Sequence, residues 1–74
     1  MNTKEEARQW IENGGACAYR CGFGWKGAET TPITKEKAIE LLPKYNFTNG
    51  PTFHELKFNG SELIFNEYSE GDMI

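Results

Sequence analysis

A chain of 74 residues that is 38% hydrophobic and 14% aromatic has the composition of one small folded domain, and such a domain hides only roughly 60 to 65% of the surface its unfolded form exposes. Eight basic against eleven acidic residues leave a net charge of −3, which disfavours phosphate backbones as partners. The start MNTKEEAR holds no apolar stretch of signal-peptide type, and the longest purely aliphatic or aromatic run is Leu63-Ile64-Phe65; a cytoplasmic protein with free thiols and no membrane span is therefore expected.

The first element is a helix over about residues 4 to 13. Thr3 and Glu6 form a capping box, Ala7, Trp10 and Ile11 recur at helical spacing, and Asn13-Gly14-Gly15 supplies a left-handed stop. From Ala16 the period changes to two. Cys17, Tyr19, Cys21, Phe23 and Trp25 alternate with Ala18, Arg20, Gly22 and Gly24, the pattern of a strand with one apolar face and one face of mostly small residues. Lys26-Gly27 reads as a turn, and Ala28 to Ile33 returns as a second strand until Pro32 ends it. Thr34 caps a second helix whose buried stripe is Ala38, Leu41, Leu42 and Tyr45, with Ile33 placed to staple against Ala38. Pro43 removes one intrahelical bond and should kink or end that helix.

Residues 46 to 52 read as loop, and a hairpin follows. FHELKF and SELIFNEY flank Asn59-Gly60, the favoured pair for a two-residue type I′ turn. That turn would set Phe58 opposite Ser61, Leu56 opposite Leu63 and His54 opposite Phe65. One face would carry Leu56, Phe58, Leu63 and Phe65, and the other Glu55, Lys57, Glu62, Ile64, Asn66 and Tyr68. The expected fold is α+β in the order α-β-β-α-β-β, a four-stranded antiparallel sheet with two helices packed on one face, over residues 1 to 74. TKEEA at 3 to 7 recurs as TKEKA at 34 to 38, which raises the question of a duplicated αββ unit; good caps alone would also make the two helices alike.

GFGWKG at 22 to 27 spells G-x-G-x-x-G. A dinucleotide loop needs a helix beginning at its last glycine, so that helix amides meet the pyrophosphate. AETTP follows instead and opens no helix, so these glycines are read as bends in a hairpin and no cofactor is expected. Gly22-Phe23-Gly24-Trp25 echoes the centre of the RNP1 segment of RNA-recognition motifs. The echo is partial, because Cys21 stands where a basic residue belongs, Lys26 where an aliphatic one does and Ala28 where an aromatic one does.

Cys17 and Cys21 sit four residues apart in one strand, about 13 Å between α-carbons, against the roughly 4.4 to 6.8 Å a disulfide needs. Both read as buried small hydrophobes. No spacing supports a metal site around His54, the single histidine. A Cys21/His54 nucleophile pair lacks a readable orienting group, so no catalytic residue is assigned and no enzyme activity is expected. Glu67 and Glu70 read as solvated charge.

What remains is surface. The sheet face away from the helices should present Ile64 and Tyr68 beside Arg20, with Trp25 and Lys26 at the first hairpin, an aromatic and aliphatic set within a charged rim. A small protein-binding module, adaptor or inhibitor, is the expected function. Homodimerisation through an unpaired strand edge would fit the same picture. The alternatives are single-stranded RNA or DNA binding along the aromatic first hairpin, or an acidic phage-type inhibitor of a nucleic-acid enzyme.

Overall fold

The computed structural model describes residues 1–21, 29–47 and 54–67. Among these, the chain runs α1 (Lys4–Glu12), β1 (Cys17–Cys21), β2 (Glu29–Pro32), α2 (Lys35–Leu41), a 3-10 turn (Leu42–Lys44), β3 (His54–Phe58) and β4 (Leu63–Glu67), the expected α+β order. No helix of the described residues is long and apolar enough to cross a membrane.

Both helices start where a threonine side chain offers an acceptor. Thr3 Oγ1 accepts the Glu6 N–H at 3.2 Å, and the Thr3 hydroxyl in turn donates to Glu6 Oε1 at 3.1 Å. The Asn2 N–H donates to the same carboxylate oxygen, also at 3.1 Å, and these bonds, the Asn2 amide first, hold the Glu6 carboxyl below its usual range. At the other end of α1, Gly14 takes φ 82°. The Gly15 N–H reaches back to Trp10 O at 2.8 Å and the Gly14 N–H to Ile11 O at 3.0 Å, a Schellman closure that needs a residue free of a β-carbon penalty at Gly14. Thr34 Oγ1 caps α2 by accepting the Lys37 N–H at 3.1 Å. Pro43 acts as expected: the α-helix ends at Leu41 and the chain tightens into the 3-10 turn. Lys35 Nζ donates to the Glu12 carbonyl at 3.2 Å, placing a cation at the negative end of α1, whose own last turn has none.

The four strands lie in the order β2-β1-β4-β3. Each hairpin is antiparallel, but the central pair β1 and β4 is parallel, so the sheet is mixed and the all-antiparallel expectation is corrected. Turns dictate direction only within a hairpin; how two hairpins meet is decided by which strands carry enough apolar surface for the centre. Cys17, Tyr19, Leu63 and Phe65 lie on β1 and β4, whereas β2 reads Glu-Thr-Thr-Pro and suits an edge. The parallel pairing also bears on the recurrence of TKE(E/K)A. β1 is central while β3, its counterpart in the second αββ segment, lies at the sheet's end and runs against it, so the segments are not equivalent in the sheet.

The second hairpin is displaced from its expected register. Phe58 pairs with Leu63, Leu56 with Phe65 and His54 with Glu67, two residues along from the pairing that an Asn59-Gly60 turn would set. The Asn59 amide oxygen is the cause: it accepts the Ser61 and Glu62 N–H groups at 2.9 and 2.8 Å, while the Asn59 N–H donates to Glu62 O at 3.3 Å. Gly60 alone takes positive φ, 92°, so Gly60-Ser61 is the two-residue loop, with the sign pattern of a type II′ turn. A slide of two keeps every side chain on its expected face; a slide of one would have inverted them.

Leu56, Phe65 and Leu63 on that face, all at most 2% exposed, join Cys17 with Ala7 and Ile11 of α1, Ala38 of α2, and Leu42 and Tyr45. Trp10, Ile33, Leu41 and Phe58 pack around this cluster half-buried. Trp10 meets Phe58 edge-on, 5.0 Å between centroids, and its Nε1–H donates to Ala16 O at 2.8 Å.

Candidate functional site

The expected partner face divides. In one row across the sheet Ala18 pairs with Ile64 and Ile64 with Lys57, and in the next Arg20 pairs with Asn66 and Asn66 with Glu55. Ala18 and Asn66 are fully buried, Glu55 is 8% exposed, and Ile64 and Arg20 are half-buried. Arg20 Nη1 donates to Asn66 Oδ1 at 3.0 Å and Lys57 Nζ lies 3.6 Å from Glu55 Oε1. Among the described residues, Asn66 Nδ2 has no hydrogen-bond partner. Polar groups bound to one another thus occupy the ground beside Ile64. Trp25, Lys26 and Tyr68, and with them all of GFGWKG, lie outside the described residues.

The strand edges are also less open than an unpaired edge would be. In the β1–β2 pairing, the Ile33 N–H turns inward to Cys17 O, so by the alternation of an antiparallel ladder Thr30 and Pro32 face outward. Pro32 has no N–H to offer. On the far side, Asn46 bridges to β3, donating to His54 O at 3.3 Å and accepting from the Leu56 N–H at 2.9 Å.

A concavity of about 400 Å³ lies on the helix side, where β2 carries the sheet past α2. Its apolar walls are Ile33 and Leu41, Thr31 and Lys37 stand on its rim, and its polar floor is built by three side chains from distant parts of the chain. Tyr19 comes from β1, Glu67 from the end of β4, and Tyr45 from the residue closing the 3-10 turn. The Tyr19 hydroxyl donates to Glu67 Oε2 at 2.9 Å, and the Tyr45 hydroxyl donates to the same oxygen at 3.3 Å. The Tyr45 ring is fixed in turn, edge-on to Phe65 at 5.3 Å and to His54 at 5.1 Å.

Two features of backbone pairing bring Glu67 here. The parallel β1–β4 register sets Cys21 opposite Glu67, and the displaced hairpin sets His54 opposite Glu67 on the other side. Glu67 is therefore half-buried between two tyrosines, not the solvated charge expected near the end of a strand. It has the same strand parity as Leu63 and Phe65, which is the sequence signal for a carboxylate on the core face. Cys21 is exposed, a correction to its expected burial, while Cys17 is buried and its thiol is pushed up by that burial. Cys21 and His54 stand two strands apart, each paired with Glu67 between them, roughly 10 Å of backbone spacing. Among the described residues no three His, Cys, Asp or Glu side chains are placed to hold a metal ion.

Burial, with the hydrogen bond and the charge of Glu67 behind it, raises the phenol of Tyr19 well above the ordinary tyrosine value and pushes that of Tyr45 up to about 12. Both rings stay protonated at neutral pH. Their hydroxyl hydrogens are committed to Glu67, so what the floor turns toward a ligand is oxygen lone pairs. Tyr19, on the first strand of the aromatic hairpin expected to bind single-stranded nucleic acid, packs against the core cluster and uses its hydroxyl within this network. In comparisons with known proteins, the chain matches no family model, no curated protein and no solved structure.

Proposed function

We propose that this chain is a small cytoplasmic protein-binding module that seats part of its partner in the concavity between β1, β2 and α2. The observation that carries the reading is the concavity itself: half-buried Tyr19, Ile33 and Leu41 surround one fixed carboxylate, with exposed Thr31 and Lys37 at the rim. Its volume of about 400 Å³ suits one or two inserted side chains, and an apolar pocket with a few convergent polar groups is how anchor residues are received. Two free thiols fit a reducing compartment. The opposite face offers less, because Ile64 is flanked by polar groups already bound to one another.

A photoreactive amino acid placed at Thr31, on the rim, should give a discrete protein adduct in cells, and Leu41→Glu should suppress it by charging the apolar wall. The same probe at Lys57, exposed on the opposite face, should give none. Adducts from position 57 and none from position 31 would move the contact surface to the other side of the sheet.

A further inference from the structure

Glu67 is the one strongly polar group on the floor of the concavity, and its chemistry is unbalanced. Among the described residues, its hydrogen bonds come from neutral phenols and end on a single oxygen, Oε2. Two ion pairs, Lys37 with Glu40 at 3.4 Å and Lys57 with Glu55, do not involve Glu67. A half-buried carboxylate with neutral donors only keeps an uncompensated charge in a site partly withdrawn from water. Around it, the phenol oxygens present lone pairs, which attract cations. Ile33 and Leu41 supply apolar wall along which a methylene chain can lie.

Building on the protein-binding reading above, we infer that the concavity receives a basic side chain, lysine or arginine, of the partner. Its head group sits on Glu67 between Tyr19 and Tyr45, and its stem lies against Ile33 and Leu41. The whole-chain charge of −3 favours approach by a basic partner. Lys37 does not fill the place itself, since its amine is drawn to Glu40 at the exposed rim, but as a like charge nearby it weakens the site.

The test is titration of the folded protein with the blocked tripeptide acetyl-Gly-Lys-Gly-amide, followed through the methyl signals of Ile33 and Leu41 and the ring signals of Tyr19 and Tyr45. The norleucine and glutamate tripeptides serve as controls. The lysine peptide should shift these signals saturably, with the norleucine peptide binding about tenfold more weakly, as expected for loss of a charge-assisted hydrogen bond. Glu67→Gln keeps an acceptor for both phenols and so keeps the floor built; it should erase the difference between the two peptides. Lys37→Met should strengthen lysine binding. Equal binding of lysine and norleucine peptides, or an unchanged preference in Glu67→Gln, overturns the inference. If photocrosslinking at Thr31 persists undiminished in Glu67→Gln, the inference falls while the protein-binding reading stands; lysine binding without any adduct at Thr31 has the opposite meaning.

Discussion

Replacing Gly15 by alanine is expected to lower the unfolding free energy by about 3 kcal/mol, a large share of what a domain this small commands, about 3 to 5 kcal/mol. A β-carbon at Gly15 would stand 2.3 Å from Trp10 Cε2 and 2.5 Å from its Cδ2 and Nε1. The indole cannot retreat freely. Its Nε1–H is bonded to Ala16 O and its ring lies edge-on against Phe58, so moving it sacrifices a hydrogen bond and a packed contact together. The neighbouring glycine separates this effect from backbone strain. At Gly14 a β-carbon would meet nothing within 4 Å, but φ is 82°, so alanine there should cost only about 1 kcal/mol, the penalty for left-handed backbone. Urea unfolding of both variants gives the comparison; equal losses would mean that Trp10 does not cover Gly15.

Phe65→Ala should leave little folded protein at all. Truncating a fully buried phenylalanine costs about 3 to 5 kcal/mol, as much as the whole domain holds. Phe65 is 0% exposed on a central strand, paired on one side with Tyr19 and on the other with Leu56, and it braces the Tyr45 ring. Amide signals in a nitrogen-correlated spectrum should collapse into the narrow range of an unfolded chain. Ile64→Ala, one residue away on the half-buried opposite face, should retain full dispersion with a loss of about 1 kcal/mol. A reversed ranking would mean that the faces of β4 are exchanged.

The features most legible in the sequence are those decided within a few residues. Thr3 and Thr34 announce their helices because a cap is a local hydrogen bond, Gly14 ends α1 because left-handed backbone excludes side chains cheaply only at glycine, and Pro43 stops α2 by lacking an N–H. Strand faces were legible too, since alternation survives any even slide. The pairing of β1 with β4 was not. Those strands are separated by β2, α2 and β3, and their contact follows from burying the most apolar strands at the centre, a property of the assembled core.

The site depended on the least legible features. Backbone preference puts Asn59 in the loop, but its side chain serves as the cap for Ser61 and Glu62, and this moves Glu67 opposite His54. Parity placed Glu67 on the core face; only the parallel register brings it within reach of Tyr19 and Tyr45. Helical spacing marks Tyr45 as buried but carries no sign that its hydroxyl meets a residue 22 positions away. Arg20 and Ile64, expected as contact residues, are half-buried beside a polar row whose members are not consecutive in sequence.

Ionisation of the tyrosines, followed by the carbon signal of each phenol ring as pH is raised, tests the Tyr19–Glu67–Tyr45 cluster most directly. A phenol whose folded value is raised stabilises the fold fully below the unfolded value, 10.0, and that stability is lost as pH climbs through the folded value. The predicted result is that Tyr19 and Tyr45 remain protonated past the ordinary tyrosine range, Tyr45 to about 12, and that Glu67→Gln lowers both midpoints part of the way while burial holds the rest. Ionisation of both rings near 10, indifferent to Glu67→Gln, would contradict the cluster and with it the floor on which partner binding is proposed to rest.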